Sequence, residues 1–235
     1  MSNYWAGVDG CRGGWVLAMI NSSRALADLR VFRTFAEVVI ETARARLTLI
    51  DIPIGLPSAE SPRPRLADRV ARENLGPRFS SVFPVPCREA VWADDYQTAC
   101  DRNQRILSQR LSKQSWGICP KIREVDAVFR LDPTLQQRIR ETHPELCFRL
   151  LNHSRPLENP KKSRAGLRIR RELLRSFAAN LDTALRQVRG ARADDLLDAV
   201  VAALVARLAS ERQAASVPLV PETDACGLTM EIVGL

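Results

Sequence analysis

The sequence predicts an α/β fold: a mixed sheet flanked by helices, with a largely helical insertion after the fourth strand. Three observations carry this. Apolar segments at residues 4–9, 15–20 and 26–32 are separated only by the turn signals Gly10-Cys11-Arg12-Gly13-Gly14 and Asn21-Ser22-Ser23, which reads as a three-stranded meander. Leu47-Thr48-Leu49-Ile50-Asp51-Ile52 is mostly apolar instead of alternating, as in a strand covered on both faces. Beyond it, residues 53–133 hold more than half of the 14 prolines and little that resembles a strand.

Each further element has its own signal. Thr34 followed three residues later by Glu37 is a capping box, so a helix is expected over 35–46, before the fourth strand. Helices are expected at about 66–75, 87–109 and 121–130 within an insertion spanning about 58–133. A short strand at 138–142 should then rejoin the sheet and end in His143-Pro144-Glu145. Helices follow at about 163–189 and 193–211, the second with Leu196, Leu197, Val200, Val201, Leu204 and Leu208 at helical spacing. Thr229 to Val233 reads as an edge strand. All 235 residues are taken as one domain with its insertion.

Composition sets the limits. The hydrophobic share of 46% and charged share of 26% are those of an ordinary globular chain. Six cysteines are scattered without a Cys-x-x-Cys pair, and Met1-Ser2-Asn3-Tyr4-Trp5 lacks a basic region leading into an apolar stretch, so reduced thiols in a cytoplasm are expected. The longest apolar run, residues 199–206, falls far short of a membrane span. Nothing sets the oligomeric state. Gly10, Gly13 and Gly14 do not make a dinucleotide fingerprint, no Gly-x-x-x-x-Gly-Lys loop exists, and the two histidines and dispersed cysteines give no zinc spacing.

Charge is placed unevenly. Residues 140–192 hold 13 Arg and Lys against five acids, a local excess of +8 that equals the formal net charge of the chain. Such a segment suits a phosphate-rich partner, with a solvated helix surface as the alternative. Lys161, Lys162 and Arg168 are its candidates for steadying phosphates.

The acids carry the chemistry. Asp9 closes the first strand, Asp51 closes the fourth, and Asp194, Asp195 and Asp198 follow on the last helix. An ionised group at a buried strand end is costly unless paired or metal-bound, so these residues suggest a carboxylate cage for divalent cations. Asp194 and Asp195 lie four and three residues before Asp198, so either can share a helix side with it. The structural alternatives are an Asx turn at Asp9, a cap or turn at Asp51 and helix capping at Asp194, Asp195 and Asp198. Glu145 is a further candidate ligand and His143 a candidate proton shuttle, or else a structural hydrogen-bond partner.

This order of parts, three strands with an acid on the first, a helix, a fourth strand with an acid and a late acidic helix, resembles the ribonuclease H-like nuclease fold. More closely, Gly7-Val8-Asp9-Gly10-Cys11-Arg12-Gly13-Gly14-Trp15-Val16, Asp51-Ile52-Pro53-Ile54-Gly55-Leu56-Pro57, Ser80-Ser81-Val82-Phe83-Pro84-Val85-Pro86, Leu111-Ser112-Lys113-Gln114, His143-Pro144-Glu145 and Asp194-Asp195-Leu196-Leu197-Asp198-Ala199 resemble the family known as domain of unknown function 429. The resemblance implies a nuclease that hydrolyses phosphodiester bonds in DNA or RNA with Mg²⁺ or Mn²⁺. Asp9 would bridge the metals, Asp51 would hold one, and Asp195 or Asp198 would close the site. It also implies that Lys113 and Gln114 reach over the site. Two other readings stay open: a nucleotide-phosphate enzyme of the actin and sugar-kinase kind, and a non-catalytic nucleic-acid-binding protein.

Overall fold

A computed structural model describes residues 4–235; Met1, Ser2 and Asn3, part of the start read above, lie outside the described residues. The meander forms where its turns predict, except that the first strand runs on past Asp9 to Cys11, so Asp9 lies within the strand instead of closing it. Strands β1 (Tyr4–Cys11) and β2 (Gly14–Asn21) pair antiparallel from Tyr4↔Asn21 to Cys11↔Gly14, leaving Arg12 and Gly13 as the turn. Gly14 adopts φ +138°, and a side chain there would run into the Phe32 carbonyl, so glycine is required on both counts. β3 (Leu26–Phe32) completes the meander beside β2.

Helix α1 (Phe35–Glu41) starts with the expected capping box, Thr34 and Glu37 bonding to each other's backbone. It is shorter than predicted: the Thr42 hydroxyl bonds back to the Val38 carbonyl at 2.8 Å and the chain tightens into a 3₁₀ turn over Thr42–Arg44. β4 (Thr48–Ile50) then runs parallel to β1, and β5 (Ile139–Glu141) runs parallel to β4. The sheet order is β3-β2-β1-β4-β5. Ile50 packs on one face of the sheet and Leu49 on the other, which is why β4 is mostly apolar.

The insertion contains α2 (Leu66–Leu75), α3 (Arg88–Val91), α4 (Tyr96–Leu107) and α5 (Lys113–Leu131). The single helix predicted at 87–109 is two, because the Asp95 side chain accepts from Thr98 N and starts a new helix there. α5 begins eight residues before the predicted start. Pro120 reads in sequence as a helix beginning, yet it sits inside a helix capped by Ser112.

After β5 comes α6 (Pro144–Leu151), which the sequence did not predict, entered through Pro144 at its first turn. The helix predicted at 163–189 divides into α7 (Arg164–Arg175) and α8 (Leu181–Gln187), and α9 (Ala193–Ser210) follows as expected. β7 (Thr229–Val233) is not an edge strand of the large sheet. It pairs antiparallel with β6 (Ser216–Thr223) and meets the end of the large sheet through a β-bridge from Val233 to Thr142, just past β5, and through the Glu231–Arg140 ion pair. Pro218 and Pro221 concealed β6, since proline argues against a strand.

Apolar clusters lie on both faces of the sheet. Val8, Trp15, Leu17 and Ile50 pack with insertion residues such as Cys119, Ile122, Val125 and Phe129. Trp5, Val16, Ala18 and Leu49 pack with Phe148, Leu174, Val200 and Leu204 on the opposite side. Buried ion pairs tie the parts together: Arg65 of the insertion meets Glu141 of β5 at 2.6 Å, and Arg88 meets Asp126 of α5 and Asp224 of the β6–β7 turn. Such pairs hold parts in register more than they add stability, but losing one partner strands a buried charge.

Candidate functional site

Parallel pairing sets the first two acids side by side. Val8 stands opposite Ile50, and Asp51 N donates to the Val8 carbonyl at 2.9 Å, so Asp9 and Asp51 follow equivalent positions on neighbouring strands. Val8 and Ile50 face the insertion, and strand alternation therefore turns the two acids toward α9.

Gly7 brings α9 to them. A Cβ on Gly7 would collide with the backbone of Ala199 and Ala203, so only glycine lets the helix lie directly on β1. That contact delivers Asp198, 1% exposed, beside the strand ends. The fourth member is a base. Lys161, from the irregular segment before α7, donates from Nζ to Asp198 Oδ2 at 2.7 Å.

The electrostatics show how closely these groups share one space. Burial raises the Asp9 carboxyl well above its usual range, and Asp51, Asp198 and Asp195 raise it further while Lys161 opposes. Burial likewise lifts Asp51 and Asp198 to about 6, each against the pull of Lys161 and with an added push from Glu145. Burial works against the Lys161 charge, but Asp198, Asp51 and Asp9 outweigh it and hold the ammonium above the ordinary lysine range. Strongly shifted groups converging in a cleft make this cluster the candidate functional site.

A cleft of about 450 Å³ opens over the cluster, lined by Asp9, Asp51, Asp195 and Lys161, with Arg12 of the hairpin and Lys121 of α5 also on its walls. Lys121 Nζ lies 4.4 Å over the Trp15 ring and 3.3 Å from Glu124, which also accepts from Trp15 Nε1. Neither Arg12 nor Lys121 was singled out in the sequence, and no local pattern distinguishes them.

The remaining predicted residues divide into those near the cluster and those away from it. Asp195 is half-buried and its Oδ2 accepts from Arg192 N, so it caps α9 while lining the cleft. Asp194 is buried. Glu145 lies behind Asp51 and Asp198, neutralised by Arg170 at 2.5 Å and Arg78 at 3.6 Å, two partners that sequence reasoning missed. His143 caps α6: Nδ1 accepts from Glu145 N, which leaves Nε2–H to face the Ser81 carbonyl at 3.3 Å. Burial keeps its ring neutral by lowering its pKa. Lys113 and Gln114 are exposed at the start of α5, with Lys113 Nζ 3.4 Å over the Tyr96 ring; they do not line the cleft.

Much of the basic segment is paired. Arg140 holds Glu231, Arg170 holds Glu145, and Arg171 and Arg175 share Asp182. Lys162 is exposed, and exposed Arg168 lies 3.6 Å from Glu172. Arg164, Arg168, Arg171, Arg175 and Arg186 nevertheless line one groove of about 700 Å³ between α7, α8 and α9, whose wall includes Leu196 and Leu197. The first turns of α9 thus border both the acidic cleft and the arginine-lined groove.

The donor set suits a hard divalent cation, since Asp9, Asp51 and Asp198 offer carboxylate oxygens. Asp198 Oδ1 is buried and has no hydrogen-bond partner, an orphan acceptor of the kind a cation would satisfy. The acids are not drawn into a cage as they stand: among the described residues, no three His, Cys, Asp or Glu side chains are grouped to hold one ion. Lys161 is the cation they share.

Fold and site define an α/β protein with an acid and lysine cleft at the ends of its parallel strands. The family described as "Protein of unknown function (DUF429)" matches residues 7–223, and the chain belongs to that family. No curated protein and no solved structure matches it. Among the described residues, no helix is long and apolar enough to cross a membrane.

Proposed function

We propose that this protein is a metal-dependent nuclease of the ribonuclease H-like class, hydrolysing phosphodiester bonds in nucleic acid. The observation that carries the reading is the meeting of Asp9, Asp51 and Asp198 around Lys161, with Asp198 Oδ1 left unpaired in a buried place. Five strands in the order β3-β2-β1-β4-β5, the first three antiparallel and the last two parallel to β1, support the fold class.

Bound Mg²⁺ or Mn²⁺, held by Asp9, Asp51 and Asp198, would supply an activated water and charge stabilisation for the leaving oxygen. The chain's own groups do the rest. Arg12, Lys121 and Lys161 make the cleft attractive to a phosphate despite its acids. Asp195 fixes the first turn of α9, and with it the position of Asp198 one turn later. The arginine-lined groove beside α9 suits the continuing backbone of a polymeric substrate.

The test is hydrolysis of labelled DNA and RNA with Mg²⁺ or Mn²⁺. Asp9→Asn and Asp51→Asn should each lower kcat at least about 100-fold while circular dichroism stays native, because loss of one ligand charge undoes metal placement. An Asp9→Asn protein that remains active and metal-requiring contradicts the proposal.

A further inference from the structure

Lys161 is the common partner of the acidic cluster. Its ammonium bonds directly to Asp198 and also acts on Asp51 and Asp9, the three acids assigned above to the metal. Asp198 Oδ2 is therefore already taken by a cation, while Oδ1 has no partner. Two cations held in contact within a low-dielectric site repel strongly, so this ammonium and a divalent ion cannot both rest against the same carboxylate at little cost.

The backbone around Lys161 is anchored, but its side chain has room. Leu157 is buried, the Asn159 carbonyl accepts from Arg170 at 3.1 Å, and the Ser163 hydroxyl holds the Pro160 carbonyl at 2.8 Å. The Lys161 side chain is 35% exposed and lines the open cleft. A four-carbon stem with a compact head can turn from Asp198 into that space without any backbone change.

We propose that Lys161 and the divalent cation are alternative occupants of one carboxylate cradle. The ammonium neutralises the acids until metal enters, then swings off Asp198 into the cleft, where it meets a phosphate of the substrate. This rests on the nuclease reading and adds a role to it: Lys161 guards the empty site and then positions substrate.

Two measurements test it. Calorimetric titration with Mn²⁺ should show Lys161→Met binding at least about tenfold tighter than wild type, because the variant no longer spends most of its time in a state closed to metal. Reductive methylation of the wild-type protein, read by mass spectrometry at Lys161, should be slow without metal and accelerate when Mg²⁺ is added; this arm needs no variant to fold. If wild type binds Mn²⁺ but Lys161→Met binds equally or more weakly, the competition is overturned and the metal site survives. Unchanged methylation at saturating Mg²⁺ overturns it in the same way. If neither protein binds Mn²⁺, the nuclease reading itself falls, and this inference with it.

Discussion

Replacing Asp198 by Asn should stabilise the metal-free protein at neutral and alkaline pH. The substitution keeps the shape and leaves an oxygen to accept from Lys161, but removes a charge whose burial is only partly offset. The Asp198 carboxyl titrates near 6 in the fold against an ordinary 3.8. Its contribution to stability is therefore complete below about pH 3.8 and lost as pH rises through about 6. The gap of about two units corresponds to roughly 3 kcal/mol, an upper limit because Asp9 and Asp51 titrate with it and share the effect. A gain of about 1–3 kcal/mol in a chain of this size raises Tm by roughly 3–10 °C. Thermal melts in chelator from about pH 4 to pH 8 measure it, and the difference between variant and wild type should grow from near zero at the acid end to its full value above pH 7. A gain equal at both ends would assign the effect to packing. A loss at pH 8 would show that ionised Asp198 is net stabilising, and the electrostatic account of the cluster would be wrong.

Two other perturbations probe parts of the design away from the acids. Gly7→Ala should cost about 2–5 kcal/mol in denaturant melts, since the collision is with the backbone of α9 on a buried face; a cost under about 1 kcal/mol would mean that α9 does not lie on β1 as described. Arg164, Arg168 and Arg186 replaced together by Ala should weaken binding to labelled DNA and RNA at low salt and flatten the salt dependence, by up to about 0.9 per lost contact on duplex and 0.7 on single strands, leaving Mn²⁺ binding unchanged. An unaltered salt slope in anisotropy titrations would make that groove a solvated surface only.

The sequence disclosed the meander, β4, β5 and α9 because each has a local cause: turn residues, a continuous apolar run, a helical stripe. What it concealed depends on partners far along the chain. α5 was cut short at Pro120 because proline usually opens a helix, whereas Ser112 caps this one. β6 was hidden by Pro218 and Pro221, and α6 by brevity. The site divides the same way. Asp9 and Asp51 were legible because an acid closing an apolar strand is anomalous on its face. Asp198 stood among three helix acids, and only the approach over Gly7 selects it. Lys161 and Lys162 are indistinguishable as neighbours in a basic run, yet one is joined to Asp198 and the other is exposed. Glu145 reads as a further candidate ligand and Glu141 as an ordinary charge until the fold supplies buried Arg170 and Arg65 beside them.

The central claim is that Asp9, Asp51 and Asp198 bind a divalent cation, and anomalous scattering from crystals soaked in Mn²⁺ tests it most directly. The account predicts a manganese peak within about 2.0–2.3 Å of oxygens from all three side chains, including Asp198 Oδ1, with Lys161 Nζ moved off Asp198. A map with no peak among these acids at millimolar Mn²⁺, and with the Lys161–Asp198 bond intact, would contradict it.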